Sequence, residues 1–315
     1  MKKRGIALLI LVLVLIIGAS GCPKKDSDGT STNKVFIGGV DGLDVGFVEN
    51  EPPEQVFDQE QDPFFVTLVL TNKGEFSVPT NGVIASLSGL SQDAFGLKEL
   101  NIRTKTPIEA KTRIGADVVD GDNEILQFQE ILYKPDLLSD FSTDLKVDVC
   151  YLYQTNALAN VCLKKNTVRK ETGDLCDIVN DKVVSETSAA PLQISDVKQR
   201  GSGPNKVLLS FKIRNSGSGI VYTKDAFTDK CYDNKAQKDY VSVEVKSGSR
   251  NLNVDCSKLG DDEKGAVRLV GSERTVLCDI DTSSLQESAF EEPFDIVVTY
   301  FYRNELKKKI TVKSE

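Results

Sequence analysis

The 315-residue sequence has no histidine and no tryptophan. Without histidine, Ser-His-Asp and Cys-His catalysis are excluded. No Cys-x-x-Cys pair occurs either, so the ligand spacing of a zinc site is missing. The glycines form neither a G-x-x-x-x-G-K-[ST] loop nor a dinucleotide-binding pattern. We therefore predict that the protein is not an enzyme, holds no metal and uses no cofactor.

An excess of basic residues is also lacking. The chain has 39 Lys and Arg against 47 Asp and Glu, a formal net charge of −8. Without the three basic residues at positions 2–4 the balance is 36 against 47, or −11. Because an acidic surface repels phosphate backbones, we expect no nucleic-acid partner.

Charged residues are absent from Gly5 to Pro23, directly after the basic residues 2–4. A basic start, an apolar core and small residues at the end are typical of a secretory signal peptide. The ending Ser-Gly-Cys resembles a lipobox, in which Cys22 is lipidated and becomes the mature N-terminus. The alternative is an uncleaved helix, since the uncharged stretch spans roughly 28 Å, close to the bilayer core. Either reading makes residues 1–22 a signal peptide or membrane anchor and places the rest outside the membrane.

The sequence after this segment shows no sustained helical periodicity. Residues 23–33 have no apolar side chain except proline and are predicted to be a flexible linker. Runs such as FFVTLVL (64–70) and DIVVTYFY (295–302) concentrate β-branched and aromatic residues between clusters of Gly, Asn, Asp and Ser. This pattern predicts an all-β fold of antiparallel β-sandwiches.

Two segments of the first half recur in the second half. VTLVLTNKG (66–74) matches LSFKIRNSG (209–217). KVDVCYLYQTNALANVCLKK (146–165) parallels DIVVTYFYRNELKKKITVKS (295–314) without a gap. Chance similarity between two unrelated β domains is the alternative, but an internal repeat is the better explanation.

The repeat predicts two tandem β-sandwich domains, at residues 34–188 and 189–315. In each domain one strand ends in Asn-x-Gly and an aromatic hairpin closes the fold. The first hairpin is expected to turn at Asn156. Alternation along it puts Tyr151 and Tyr153 on the core face.

The strand ending in Asn-x-Gly, together with the aromatic closing hairpin, resembles CARDB-like and other immunoglobulin-like modules of archaeal and bacterial surface proteins. The stretch VCYLYQTNALANVCLKK (149–165) and the cysteines of the second half are similar to those of uncharacterised membrane-anchored archaeal proteins with tandem sandwiches. The resemblance covers residues 34–315. It implies two tandem immunoglobulin-like domains at the cell surface and carries over no functional residue.

Six cysteines follow Cys22, and an exported chain favours a disulfide framework. Six cysteines allow fifteen pairings, so their spacing must decide. Cys150 and Cys162 lie symmetrically about Asn156. The expected hairpin therefore sets them opposite each other, within disulfide reach.

The other four cysteines lie between and within the predicted second domain. Cys256 and Cys278 end two segments that are expected to be neighbouring strands, which predicts a disulfide between them. Cys176 and Cys231 are then paired by elimination.

Two functions of different class remain. The preferred one is a non-catalytic, membrane-anchored, extracytoplasmic module that uses its sandwiches as a spacer and as a binding platform for another surface or envelope protein. The alternative is a solute- or cation-binding lipoprotein of a transporter or envelope complex, which needs a cleft between two domains. The acidic stretch 49–62 is interpreted as a solvated loop between the first two strands, with a contact to a cation or basic partner as the alternative. The acidic stretch 120–124 is interpreted as a turn that lacks the remaining oxygen ligands of an EF-hand Ca²⁺ loop.

Overall fold

The computed structural model describes residues 34–169, 173–256, 259 and 264–314. The predicted signal or anchor segment 1–22, including Cys22, and the linker 23–33 lie outside these residues. Residues Val35–Glu315 form one compact unit. Every regular element described is a β-strand, which confirms the all-β prediction, and no helix in this part is long and apolar enough to cross a membrane.

The described residues form eighteen strands, numbered in chain order. They are β1 (Leu43–Phe47), β2 (Gln55–Phe57), β3 (Thr67–Asn72), β4 (Val83–Ser88), β5 (Asn101–Arg103), β6 (Thr112–Ile114), β7 (Asp117–Val119), β8 (Asn123–Gln127), β9 (Phe141–Leu163), β10 (Val184–Thr187), β11 (Leu192–Gly201), β12 (Lys206–Asn215), β13 (Ile220–Tyr222), β14 (Tyr240–Ser247), β15 (Val254–Cys256), β16 (Lys264–Arg268), β17 (Glu273–Asp281) and β18 (Phe290–Lys313).

These strands form four sheets. The central sheet has the order β16-β14-β18-β9-β4-β5, and β2, β10 and β13 pair with its two long strands. A three-stranded sheet, β1-β3-β8, and a four-stranded sheet, β11-β12-β17-β15, supply further layers, and β6 and β7 form a separate hairpin. All pairs are antiparallel except β2 with β18.

The long strands β9 and β18 form the middle of the central sheet. They pair in register from Phe141 opposite Val312 to Leu163 opposite Phe290. At the usual rise per residue this ladder is roughly 75 Å long. Buried and more exposed residues alternate along most of both strands, which is the period of a strand that packs on one face.

The predicted hairpin turn at Asn156 is wrong. Asn156 lies inside β9 opposite Val297, and the residues on both sides of it pair with the same strand, β18. On its other edge Asn156 exchanges hydrogen bonds with Ser188, donating to the hydroxyl at 2.9 Å and accepting from the backbone N–H at 2.8 Å. Because both backbone groups of Asn156 have partners in an extended conformation, the strand continues through it.

The two smaller sheets cover opposite ends of the same face of the central sheet. In the first half Leu68 and Leu70 of β3 are fully buried in one cluster with Val147 and Val149 of β9. In the second half Phe211 of β12 is buried in that cluster as well. This layering is that of a β-sandwich, as expected from the alternating strands.

The central sheet is shared by the two halves of the chain. The first part of β9 pairs with the last part of β18, and the last part of β9 pairs with the first part of β18. The predicted division between residues 188 and 189 falls between β10 and β11, and no break in the central sheet marks it. The tandem boundary therefore stays a prediction from the sequence repeat.

The repeated Asn-x-Gly motif forms a buried polar contact between the layers. The Oδ1 of Asn72 accepts a hydrogen bond from the Tyr153 hydroxyl at 3.0 Å, and the Oδ1 of Asn215 accepts one from Tyr302 at 3.2 Å. In both copies the asparagine Nδ2 donates to the backbone carbonyl four residues later, at 2.8 and 2.9 Å. The repeat in the sequence thus corresponds to a repeated hydrogen-bonding unit.

The glycine of each motif lies directly against the tyrosine. A Cβ atom on Gly74 or Gly217 would come closer than 3.0 Å to the hydroxyl of Tyr153 or Tyr302, respectively. Tyr151 and Tyr153 are buried, as predicted. Burial raises the pKa of both hydroxyls, so they are protonated donors at neutral pH.

Candidate functional site

Residues 223–239 connect β13 to β14 and form a strap across the face of the central sheet opposite the main core. Cys231 in this strap is joined to Cys150 of β9, with Cα atoms 5.4 Å apart. The backbone N–H of Cys231 donates to Ser86 Oγ of β4 at 2.8 Å. Since β13 and β14 belong to the second half and β4 to the first, the strap connects the two halves.

A second apolar cluster lies under the strap. The ring of Phe227 meets Tyr222 and Phe301 edge-on, with centroids 5.0 and 5.4 Å apart. Ile84 and Cys150 are fully buried in the same cluster. Cys150 thus lies on the face opposite the core tyrosines, as the alternation predicted, but the strap covers it there.

The predicted disulfides Cys150–Cys162 and Cys176–Cys231 are wrong. In a continuous β9 the first two cysteines lie twelve residues apart on one strand, a separation of roughly 40 Å. Cys162 is joined instead to Cys176, with Cα atoms 5.9 Å apart. The error follows directly from the hairpin that does not form.

The third disulfide joins Cys256 of β15 to Cys278 of β17, the pair that the sequence indicated. The two residues lie directly opposite each other in neighbouring antiparallel strands. All six cysteines after Cys22 are therefore in disulfides.

A row of charged side chains crosses from β9 to β18 beside the strap. Arg303 Nη2 donates to Asp148 Oδ1 at 2.7 Å and to Glu305 Oε2 at 3.3 Å, and Lys146 also pairs with Glu305. The hydrogen bond from Lys146 is the main reason why the pKa of Glu305 falls to about 2. Burial alone would lower the pKa of Arg303, but Asp148 and Tyr222 together outweigh burial and raise this pKa. The row is a structural ion-pair network between the long strands.

The loop after β9 presents exposed aliphatic side chains. Lys164 Nζ pairs with Asp174 Oδ2 at 3.0 Å in a buried contact, next to the Cys162–Cys176 disulfide. A depression of about 570 Å³ lies beside this pair. Its rim carries Val168, Leu175 and Val179, which are 79%, 83% and 81% exposed. We call these three residues the aliphatic rim.

Two carboxylates hold the segment that follows the linker. Glu75 accepts hydrogen bonds from the backbone N–H groups of Ile37 and Gly38 at 2.8 and 2.9 Å. Glu186 accepts one from Val35 at 2.7 Å. Sequence reasoning missed both, because a single glutamate in an acidic chain carries no signal.

The acidic stretches do not form a metal cluster within the described residues. In the stretch 49–62, Asp58 is fully buried and its Oδ2 accepts a hydrogen bond from the Leu137 N–H at 2.8 Å. The interpretation of this stretch as a solvated loop is therefore wrong at Asp58. In the second stretch, Asp120 forms an exposed ion pair with Lys111 at 3.3 Å.

No protein-family model and no curated protein matches the chain. Among solved structures, the secreted serine protease VesC from Vibrio cholerae aligns at 8% identity and a TM-score of 0.20, covering 82% of this chain. The chain spans about half (50%) of the length of that protease.

Two surface proteins also align. A partial N-terminal region of an enterococcal surface protein has 7% identity, a TM-score of 0.19 and coverage of 87% of this chain and 93% of its own. The collagen-binding domain of the Erysipelothrix rhusiopathiae surface protein RspB has 9% identity, a TM-score of 0.12 and coverage of 86% and 92%. At such TM-scores these likenesses carry no argument, and the resemblance to CARDB-like modules stays a prediction.

Proposed function

We propose that the protein is a non-catalytic, extracytoplasmic module, anchored to the membrane through its N-terminus, that serves as a spacer and binds another surface or envelope protein. The observation that carries this proposal is the set of three disulfides that pairs every cysteine after Cys22. Such a set forms and persists in an oxidising compartment outside the cytosol.

The shared central sheet supports the role of a spacer. The ladder between β9 and β18 is continuous over both halves, and the Cys150–Cys231 disulfide adds a covalent link between them. A hinge between the halves would have to break ladder hydrogen bonds in the middle of the sheet. The module therefore keeps its two ends at a fixed separation.

The aliphatic rim supports the role in protein binding. Large side chains as exposed as Leu175 and Val179 are typical of contact surfaces when they are grouped. The adjacent disulfide and the Lys164–Asp174 pair hold their loop in place, which lowers the entropy cost of binding.

The solute-binding alternative stays a second candidate. Two depressions lie between the halves, one of about 180 Å³ lined by Gly42 and Tyr302 among others, and one of about 490 Å³ lined by Val45 and Arg303 among others. The larger one falls within the range of small-molecule sites, about 300–1,000 Å³. A thermal-shift screen with Ca²⁺ and small solutes tests the alternative directly, since a ligand raises the melting temperature by mass action.

Proximity labelling on the native cell surface tests the proposed partner binding. The full chain should label a defined set of surface proteins, and Leu175→Lys should reduce that labelling because a charge in the rim opposes an apolar contact. Val270→Lys is the matched control, because Val270 is 65% exposed and lies away from the rim. Equal labelling by both variants and the unchanged chain would refute the rim as the binding surface. Alkylation of the protein inside intact cells tests its location. Free thiols at the six cysteines after Cys22 would refute the proposed extracytoplasmic compartment.

Membrane fractionation tests the anchor. The full chain should be found in the membrane fraction, and Cys22→Ser should release or misprocess it if the anchor is a lipid. Retention of this variant would identify the uncleaved helix instead, and a soluble full chain would refute both forms of anchoring.

A further inference from the structure

The strand β8 has one open edge. Asn72 N donates to Asp122 O at 2.9 Å, and Phe128 N donates to Val66 O at 3.0 Å, so even-numbered residues of this segment face β3. In an antiparallel ladder the residues between them point their N–H and C=O groups the other way. The backbone groups of Asn123, Ile125 and Gln127 therefore point away from β3. No other described strand pairs with that side.

The side chains along this edge leave it accessible. Ile125 is 61% exposed, and Asn123 and Gln127 are exposed as well. The five residues of β8 include neither lysine nor proline, the usual devices against edge-to-edge pairing. The edge therefore presents free hydrogen-bonding groups around one β-branched apolar side chain.

Two other edges of the smaller sheets, those of β1 and β11, are protected. At β1, the outward carbonyl of Leu43 accepts a hydrogen bond from the Tyr151 hydroxyl at 3.2 Å. At β11, the ladder is interrupted between Ser195 and Lys198, and such irregularities twist an edge away from pairing. The edges of β1 and β11 are thus protected against pairing with another strand, whereas the edge of β8 is open.

We propose that β8 pairs antiparallel with β8 of a second copy of the chain, about a two-fold axis through Ile125. In this register Ile125 faces its own copy, Asn123 faces Gln127, and Glu124 faces Leu126. No like charges oppose each other, and the outward backbone groups of all three exposed residues find partners. The three-stranded sheet then continues into a six-stranded sheet across the two copies.

The hairpin of β6 and β7 also exposes apolar side chains. It immediately precedes β8 and carries Ile114, Val118 and Val119, which are 67%, 44% and 46% exposed. In an antiparallel pair, the start of one β8 lies beside the end of the other. An interface formed by one five-residue strand from each copy belongs to the weak class of protein–protein interfaces, which bury less than about 1,200 Å².

The first test is symmetric disulfide trapping with the full chain in neutral detergent. Ile125→Cys should form a covalent dimer under mild oxidation, since facing residues on a two-fold axis come within disulfide reach. Val270→Cys is the matched control, with a similar exposure of 65% on a different part of the molecule. The unchanged chain, which carries the same Cys22, gives the background. Equal dimer yields from Ile125→Cys and Val270→Cys would overturn the proposal.

The second test is sedimentation velocity of the full chain over about a hundredfold range of concentration. The dimer fraction should rise with concentration, and Ile125→Lys should weaken dimerisation by about tenfold or more. Ile125→Pro should do the same, because it removes an outward N–H without touching the bonds to β3. Val270→Lys should leave dimerisation unchanged. A chain that stays monomeric throughout, or a dimer that both variants at position 125 leave intact, would overturn the proposal. This inference does not depend on partner binding at the aliphatic rim.

Discussion

Replacing Gly217 with alanine tests why the Asn-x-Gly motif recurs. The backbone of Gly217 is not in the left-handed region, so alanine has no conformational penalty there. The obstacle is the Tyr302 hydroxyl, which a new Cβ would approach closer than 3.0 Å. We therefore expect the tyrosine ring to move and the protein to lose stability for a steric reason.

The loss of stability can be estimated from the contacts of that hydroxyl. Tyr302 donates to Asn215 Oδ1 at 3.2 Å and accepts from the Gly219 N–H at 2.8 Å. Losing both bonds costs about 1–1.5 kcal/mol each, and overpacking adds about 1–3 kcal/mol. Gly217→Ala should therefore lower the free energy of unfolding by about 3–6 kcal/mol.

A double-mutant cycle separates this cause from others. Tyr302→Phe alone should cost about 1–3 kcal/mol, because it leaves a half-buried acceptor on Asn215 and a half-buried N–H of Gly219 unpaired. In the double variant the clash with the hydroxyl is gone, and the nearest remaining atoms, Tyr302 Cζ and Pro191 Cβ, lie at 3.2 Å. The cost of the double variant should fall short of the sum of the single costs by about 2 kcal/mol or more.

The first copy of the motif provides the matched control. A Cβ on Gly74 would meet the backbone carbonyls of Ala189 and Asp41 at 2.6 Å, in addition to the Tyr153 hydroxyl. Tyr153→Phe should therefore fail to rescue Gly74→Ala. Urea unfolding followed by far-UV circular dichroism measures all six variants. If the cost of the double variant equals the sum of the costs of Gly217→Ala and Tyr302→Phe within about 0.5 kcal/mol, the steric explanation is refuted.

Two further predictions concern the covalent and ionic links. Replacing Cys150 and Cys231 by alanine should cost up to about 4.5 kcal/mol from loop entropy, more than removing either of the other two disulfides, and urea unfolding of the three double variants gives the ranking. If removing the Cys162–Cys176 disulfide, which closes the shortest loop, costs the most stability, the loop-entropy explanation fails. Glu305 has a folded-state pKa of about 2, below the ordinary value, so its contribution to stability is present above pH ~4.5 and is lost as the pH falls toward 2. Glu305→Gln should therefore flatten the acid side of the stability profile, and an unchanged profile would show that the ion pair with Lys146 does not stabilise the fold.

The parts of the fold that depend on local patterns were predictable from the sequence. Alternation placed Tyr151 and Tyr153 on the core face, and both are buried. The match between the two Asn-x-Gly stretches predicts strands at the positions of β3 and β12. Alternation and motif spacing succeed here because each is set by the side chains of a single strand.

The continuous strand β9 was not predictable in the same way. Asn156 lies near the centre of the repeated segment, and asparagine is a common turn residue, so a hairpin was the local expectation. What overrides it is β18, which pairs with every residue of β9 at sequence separations of 127 residues (Leu163 with Phe290) or more. Strand pairing over such a distance depends on tertiary contacts, which a single sequence does not display.

The disulfides show how one local error propagates into the candidate site. Cys256–Cys278 depends only on two neighbouring strands, and there the sequence indicated the pair that the structure contains. Cys150 was assigned to the correct face of its strand, but its partner depends on the strap, whose path from β13 to β14 follows from where β18 lies. Once β9 is a single strand, Cys150 and Cys162 are too far apart to pair, and each needs a loop that reaches its own position on the strand. The loop that reaches Cys150 crosses between the halves, so the disulfide links them. Both features on which the proposed spacer depends, the ladder and this link, therefore follow from the pairing of β9 with β18.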